Sequence, residues 1–245
     1  MSLSEQLAVV TGAASGIGRA TALALANHGA RVVVADLDRV GSGETAAAIE
    51  AAGGTAVCVP VDITDDVAVE RLAAETGGAA TILVNAAGWD RAGPFLDNDL
   101  AFIERVVQIN LLGCIKLTRA LLPAMIEAGG GRIINVASDA GRVGSSGETV
   151  YASAKGGVIA FTKSVAREMA RHAINVNCVC PGPTDTPLFR TLPEKLQDGL
   201  VRAIPFRRLA QPDEIADAIV FFAGPSSRYI TGQILSVSGG LTMAG

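Results

Sequence analysis

Histidine is almost missing from this chain: His28 and His172 are the only two in 245 residues. Each falls near the polar end of a predicted helix, where capping or solvation accounts for it. A zinc centre or a histidine-based triad therefore has little material, and no metal is expected. Cysteine is scarce too. Cys58, Cys114, Cys178 and Cys180 lie inside apolar strand- or helix-like stretches without CxxC spacing, which predicts buried, reduced thiols rather than a disulfide frame. Positive charge is in deficit, with a net charge of −4 and a pI near 5.2, so a global basic surface and nucleic acid as main partner are excluded. Although 49% of the residues are apolar, no uninterrupted apolar run approaches the roughly 18 residues that span a bilayer. The start, MSLSEQLAVVTG, has no basic n-region and enters a strand-like run at once, so no secretory signal is expected and the chain reads as cytosolic.

What the sequence does contain is a regular alternation. Short β-branched runs (LAVVTG, RVVVAD, TAVCVP, TILVNAAG, GRIINVAS, INVNCVCPG, ILSVSGG) are separated by Ala-rich helical segments. That order predicts an α/β fold, a single doubly wound Rossmann domain over residues 1–245, with a seven-stranded parallel sheet and helices on both faces. The strands are nearly continuously apolar, as expected where both faces are buried. No linker, repeat or charge block interrupts the series. One irregular, Pro-rich stretch, PGPTDTPLFRTLPEKLQDGLVRAIPFRRL, predicts a loop with short helices, and residues 183–212 are expected to form a substrate lid.

Three local features bear on chemistry. The first strand runs into TGAASGIG, where Gly12, Gly16 and Gly18 bracket a turn that opens a helix. Small residues there admit a pyrophosphate to the backbone and to the helix N-terminus, although a ligand-free glycine turn has the same composition. At the end of the second strand Asp36 can accept from both hydroxyls of an adenosine ribose, and a 2′-phosphate about 4 Å away would be repelled by roughly 4 kcal/mol per charge pair at an effective dielectric near 20. This predicts NAD. Third, Tyr151 and Lys155 in ETVYASAKGG lie one helical turn apart on one face, a phenol beside an ammonium. Taken alone, that pair is equally an ordinary packed Tyr beside a solvated Lys.

As a set, TGAASGIG, Asp36, the VD containing Asp62, NAAG at 85–88, Asn110, Ser138, YASAK and PGPTDT resemble the short-chain dehydrogenase/reductase family over essentially the whole chain. The resemblance implies an NAD-dependent oxidoreductase acting on CH–OH. It implies a cofactor site of Gly12, Ser15, Gly16, Ile17, Gly18, Asp36, Leu37, Asp62, Ile63, Asn85, Ala86, Gly88, Tyr151, Lys155, Pro181, Gly182, Thr184 and Thr186. Asp62 would contact adenine, Asn85 and Gly88 would support the dinucleotide, and Pro181 to Thr186 would enclose the nicotinamide. Tyr151 would act as base, Lys155 would hold the ribose, Ser138 would donate to the substrate oxygen, and Asn110 would anchor a water relaying protons to Lys155. A phenol near pKa 10 is a poor base at neutral pH. Lowering it by about three units needs roughly 4 kcal/mol, expected from Lys155 and a cationic nicotinamide. The family also implies a homotetramer. One departure is visible: TDDVAVERLAAETGGAA is about a turn shorter than the family usually has. A dinucleotide redox sensor is the non-enzymatic alternative, but such proteins tend to lose the Tyr or Lys that is present here.

For the substrate, NAAGWD, SDAGRVGSSGETVYASAKGG, NCVCPGPTDT and SVSGGLTM are similar to the 2-hydroxycyclohexanecarboxyl-CoA dehydrogenase group of that family, which implies an alicyclic β-hydroxyacyl-CoA. A 3-oxoacyl-(ACP/CoA) reductase is the nearest alternative. Trp89 suits either packing or a pocket wall. Arg142 is either a ligand donor or a solvated side chain. Arg190, Lys195, Arg202, Arg207 and Arg208, set against Glu194 and Asp198, either receive CoA phosphates at the pocket mouth or form solvated helix faces.

Overall fold

The computed structural model describes residues 2–243. Its seven strands are β1 (Leu7–Thr11), β2 (Arg31–Asp36), β3 (Thr55–Pro60), β4 (Ala80–Asn85), β5 (Gly131–Val136), β6 (Ile174–Pro181) and β7 (Ile234–Val237). All pair in parallel, in the order β3-β2-β1-β4-β5-β6-β7. The helices are α1 (Gly16–Asn27), α2 (Arg39–Ala51), α3 (Asp66–Glu75), α4 (Leu100–Val107), α5 (Gly113–Glu127), α6 (Ala140–Val143), α7 (Thr149–Met169), α8 (Pro187–Arg190), α9 (Glu194–Ala203) and α10 (Pro212–Ala223). Every strand expected from its β-branched run is present.

Strand side chains alternate between two faces, and the sequence supplies an apolar residue at nearly every step. Ala8, Val10, Val32, Val34, Ile82 and Val84 join Leu25 of α1, Ile49 of α2 and Ile215 and Ile219 of α10 in one core. Leu7, Val9, Val33, Ala35, Leu83 and Ile133 join Leu72 of α3 and Leu117, Leu121 and Met125 of α5 in the other. This is why a run such as VVV can be continuously apolar. The sheet's margins are less covered than expected. Thr55 and Val57 on β3 and Leu235 on β7 reach solvent, and Cys58 is half-buried with Sγ 3.1 Å from Ser42 Oγ. Cys114, Cys178 and Cys180 are buried free thiols, as expected.

Helix entries are set by local chemistry. Asp38 caps α2 by accepting from the Val40 and Gly41 N–H groups, Asp65 caps α3 through Val67 N–H, and Asp99 caps α4 through Phe102 N–H. Between α4 and α5 the turn widens into a π-helical segment, Gln108–Leu112, which carries Asn110. Together they form a helical run, Leu100–Glu127, long and apolar enough to cross a membrane by length and composition, yet it packs on β4, β5, α3 and α7. The strand order reverses between β1 and β4, which leaves a crevice at the carboxyl ends of the strands, the place where open α/β sheets bind ligands.

Candidate active site

A cavity of about 970 Å³ opens in that crevice. One end begins at the glycine turn. Gly12 and Gly16 have φ of +66° and +52°, a region that L side chains rarely adopt. Space excludes side chains as well: a Cβ on Gly12 would lie 2.7 Å from Ala87 Cα, and one on Gly18 would lie 2.1 Å from the Gly12 carbonyl oxygen. Ser15, at the N-cap of α1, makes no side-chain cap bond, and no acid stands in the first turn. The amide groups of that helix start are thus left for an anion, the arrangement a diphosphate requires.

Asp36 is fixed rather than swinging. Its Oδ2 accepts from Ala14 N–H and its Oδ1 from Asp38 N–H, both at 2.9 Å. One bond ties β2 to the glycine turn, and each oxygen keeps a lone pair for a ligand hydroxyl. Asp62 lines the same end, and its Oδ1 accepts from Thr64 N–H and Oγ1 at 2.9 and 2.7 Å. The cap of α3 is Asp65, three residues on. Two arginines follow these motifs in sequence, Arg19 after Gly18 and Arg39 after Asp38. Arg19 pairs with Glu44 at 3.5 Å.

The other end is built by β5, α7 and the loop after β4. Ser138, Tyr151, Lys155 and Trp89 line the cavity together. Lys155 is buried, and its Nζ donates to the Val136 carbonyl at 2.9 Å and lies 5.6 Å from the Tyr151 ring centroid. Burial depresses the Lys155 pKa. The Tyr151 phenol is pushed above its ordinary value, first by burial and then by the charges of Glu148 and Asp90, against a hydrogen bond with Ser138 that lowers it. The expected tyrosinate is therefore not a property of the chain alone: desolvation and two neighbouring carboxylates hold the phenol neutral.

Asn110 lies behind this wall rather than on it. Its Nδ2 donates to the Trp89 and Val106 carbonyls at 2.6 and 2.9 Å, and its Oδ1 accepts from Trp89 N–H at 3.2 Å. A Cβ on Gly88 would sit 3.0 Å from Asn110 Oδ1 and 3.4 Å from Lys155 Nζ, so the two side chains flank that glycine.

Of the cofactor residues expected from sequence, Gly12, Ser15, Gly16, Ile17, Gly18, Asp36, Leu37, Asp62, Ile63, Ala86, Gly88, Pro181, Gly182, Thr184 and Thr186 line the cavity with Tyr151 and Lys155. Asn85 does not. Its Nδ2 donates to Asn135 Oδ1 at 2.9 Å and to Thr118 Oγ1 at 3.2 Å, and Asn135 continues to Thr162 at 2.9 Å, a buried network that locks β4 to β5, α5 and α7. Arg142 also departs from expectation: its Nη1 donates to Ser236 Oγ on β7 at 2.7 Å, and Ser236 donates to Asp139 at 2.5 Å, so it braces the sheet edge and does not line the cavity. None of Arg190, Lys195, Arg202, Arg207 and Arg208 lines the cavity. Arg190 pairs with Asp185, Arg208 pairs with Glu214, and Arg207 donates to the Arg202 carbonyl. The contribution of this segment to the lining is apolar, through Leu188, Phe189, Leu192 and Leu200. Sequence reasoning missed Asp90, Arg105 and Glu148, which also line the cavity. Asp90 and Glu148 had one sequence signal, proximity to Trp89 and Tyr151, and Arg105 had none.

The profile of a family described as Enoyl-(Acyl carrier protein) reductase matches residues 12–242. This is the short-chain dehydrogenase/reductase family. The chain belongs to it. Among curated relatives, the cis-4-hydroxycyclohexanecarboxylate dehydrogenase of Sinomonas cyclohexanicum is 41% identical over 242 residues, covering 97% of each chain. A subunit of the (2S)-[(R)-hydroxy(phenyl)methyl]succinyl-CoA dehydrogenase of Thauera aromatica is 39% identical over 246 residues and 99% of each chain. Among solved structures, a candidate NAD(P)-dependent gluconate 5-dehydrogenase from Beutenbergia cavernae, with bound NADP, superposes with a TM-score of 0.93 at 33% identity over 98% of each chain.

In this short-chain dehydrogenase/reductase the residues present fit a nicotinamide dinucleotide. The glycine turn and free helix start suit its diphosphate, and the carboxylates of Asp36 and Asp62 suit hydroxyl and amino donors. When bound, such a group accepts or donates hydride. The chain's own groups do the rest: a buried ammonium, a phenol and a serine hydroxyl meet at one wall, where a proton can be held or moved next to an alcohol carbon.

Proposed function

We propose that the chain is an NAD-dependent dehydrogenase of β-hydroxyacyl-CoA esters whose acyl group carries a ring, as in 2-hydroxycyclohexanecarboxyl-CoA. The observation that carries the reading is the cavity itself, which sets Tyr151, Ser138 and Lys155 at one end and a fixed Asp36 at the other. Tyr151 takes the hydroxyl proton of the substrate, Ser138 donates to the same oxygen, and Lys155 holds the ribose. Asn110 and Lys155 flank Gly88, the arrangement that a relay of protons between them requires. Trp89, Leu188, Leu192, Leu200 and Leu241 supply an apolar wall for a ring. The Thauera relative, named for a CoA ester with a phenyl group, supports that class. Residues 183–212 act as the lid, and the working form is a cytosolic homotetramer, which sedimentation velocity checks.

The test is kcat/KM at saturating NAD for 2-hydroxycyclohexanecarboxyl-CoA, 3-hydroxybutyryl-CoA and the free cyclic acid, read as NADH absorbance. The ring thioester should lead and the free acid trail. A lead for 3-hydroxybutyryl-CoA would move the chain to straight-chain 3-oxoacyl chemistry, and equal rates for acid and thioester would remove CoA from the reading.

A further inference from the structure

Two carboxylates beside the substrate end have no part in the chemistry above. Asp90 follows Trp89 in the loop after β4, Glu148 immediately precedes α7, and both line the cavity with Tyr151. Their loops are joined, since Gly93 N–H donates to the Gly147 carbonyl at 2.8 Å. Ser145 Oγ donates to Glu148 Oε2 at 2.5 Å and fixes that carboxylate. Asp90 Oδ2 is buried without a hydrogen-bond partner, and among the described residues neither acid forms an ion pair.

The cations of this wall form no ion pair with either acid, although the backbone N–H and charge of Arg91 both act on Asp90 and lower its pKa. The Arg91 guanidinium lies over Phe102 at 4.9 Å, and that of Arg105, which also lines the cavity, lies over Trp89 at 4.2 Å. Lys155 is hydrogen-bonded to Val136, and Asp139, the remaining charged group here, accepts from Ser236. Burial, with the charge of Glu148 adding to it, raises the Asp90 pKa to about 6 against the backbone hydrogen bond and the charge of Arg91, which lower it, and both acids raise that of Tyr151. The two carboxylates therefore sit within electrostatic reach of each other and of the phenol that meets the reacting carbon.

We infer that Asp90, backed by Glu148, sets the charge that the substrate carries beside its reacting carbon, excluding a free carboxylate there and admitting the same acid once it is esterified. The inference rests on the reading of the substrate as a β-hydroxyacyl ester. A carboxylate on the carbon next to the carbinol has to enter a partly dehydrated wall that already holds like charge, whereas an ester brings none. Discrimination of this kind comes from a repulsive element built against the wrong ligand.

The experiment compares 2-hydroxycyclohexanecarboxylate with its methyl ester, so that CoA plays no part. In the wild type the ester-to-acid ratio of kcat/KM should be on the order of a hundred, about tenfold for each like charge. Asp90→Asn and Glu148→Gln should each lower it about tenfold, and Asp90→Glu, which keeps the charge, should retain it. A wild-type ratio near one, a preference for the acid through Arg105, or an equal fall in Asp90→Glu would overturn the inference. The CoA ester run alongside separates the two readings: if it is no better than the methyl ester, the CoA assignment falls while the ratio still tests Asp90. Should the ring compounds fail to turn over, the same ratio is read from 3-hydroxybutyrate and its methyl ester.

Discussion

Tyr151→Phe lowers turnover at least about a hundredfold, the typical scale for a lost general base, and leaves NADH affinity nearly intact. The substitution removes one oxygen and keeps the ring. Tyr151 packs against the cluster of Phe102, Val106, Val150 and Ala154, and a phenyl group fills the same space, so folding is preserved and the loss reads on chemistry. The direction of the pKa shift adds a second readout. Burial, Glu148 and Asp90 all raise the phenol, so at neutral pH the chain alone presents it protonated. Alcohol oxidation needs the phenolate and should rise with pH, while ketone reduction needs the phenol and should be sustained at neutral pH and fall in base. Both dependences should vanish in Tyr151→Phe. A variant with near-normal turnover and an unchanged profile would mean that another group moves the proton.

The strands were legible because their positions in a doubly covered sheet demand apolar residues on both parities, and β-branched runs of four to eight residues have few other uses. The glycine turn was legible for a similar reason: two positive φ values and a backbone contact where a Cβ would overlap leave little choice of residue. The misses share a different cause. Asn85 and Arg142 lie beside functional residues in sequence, but the direction of a side chain depends on which face of its strand or helix it leaves. Asn85 turns into the layer beneath the cavity, and Arg142 turns toward β7. The basic residues between 190 and 208 stayed open between phosphate contacts and solvated faces because pairing is decided in space. Arg208 meets Glu214 six positions on, at the start of α10, and Arg190 reaches back to Asp185. Asp90 and Glu148 were invisible because they are 58 positions apart and meet only through the loop contact between Gly93 and Gly147. The π-helical segment had no signal at all, since QINLL continues the apolar pattern of its neighbours.

The wild type should use NAD more efficiently than NADP by on the order of a hundredfold, and Asp36→Ala should narrow that gap from both sides. A 2′-phosphate would sit against a carboxylate that cannot turn away, because Asp36 is held by Ala14 and Asp38 N–H groups at 2.9 Å. Repulsion of roughly 4 kcal/mol per charge pair at 4 Å is reduced by the solvent that reaches this half-buried side chain, and about 3 kcal/mol corresponds to the hundredfold expected. Asp38 and Asp62 line the same end and add negative charge, and Arg19, the cation that follows the glycine turn, is paired with Glu44. Removing the carboxylate relieves the repulsion, so NADP use improves. It also deletes acceptors for the ribose hydroxyls and the bond to Ala14 N–H, so the turn loosens and NAD use declines. Asp36→Asn separates these effects, because its amide oxygen can still accept from one N–H while the charge is gone. It should recover NADP use with a smaller loss on NAD. The check is kcat/KM for both dinucleotides with one alcohol substrate: equal efficiency in the wild type would mean that Asp36 anchors the glycine turn without selecting the cofactor, and that Arg39 or Arg19 leaves its place to meet the phosphate.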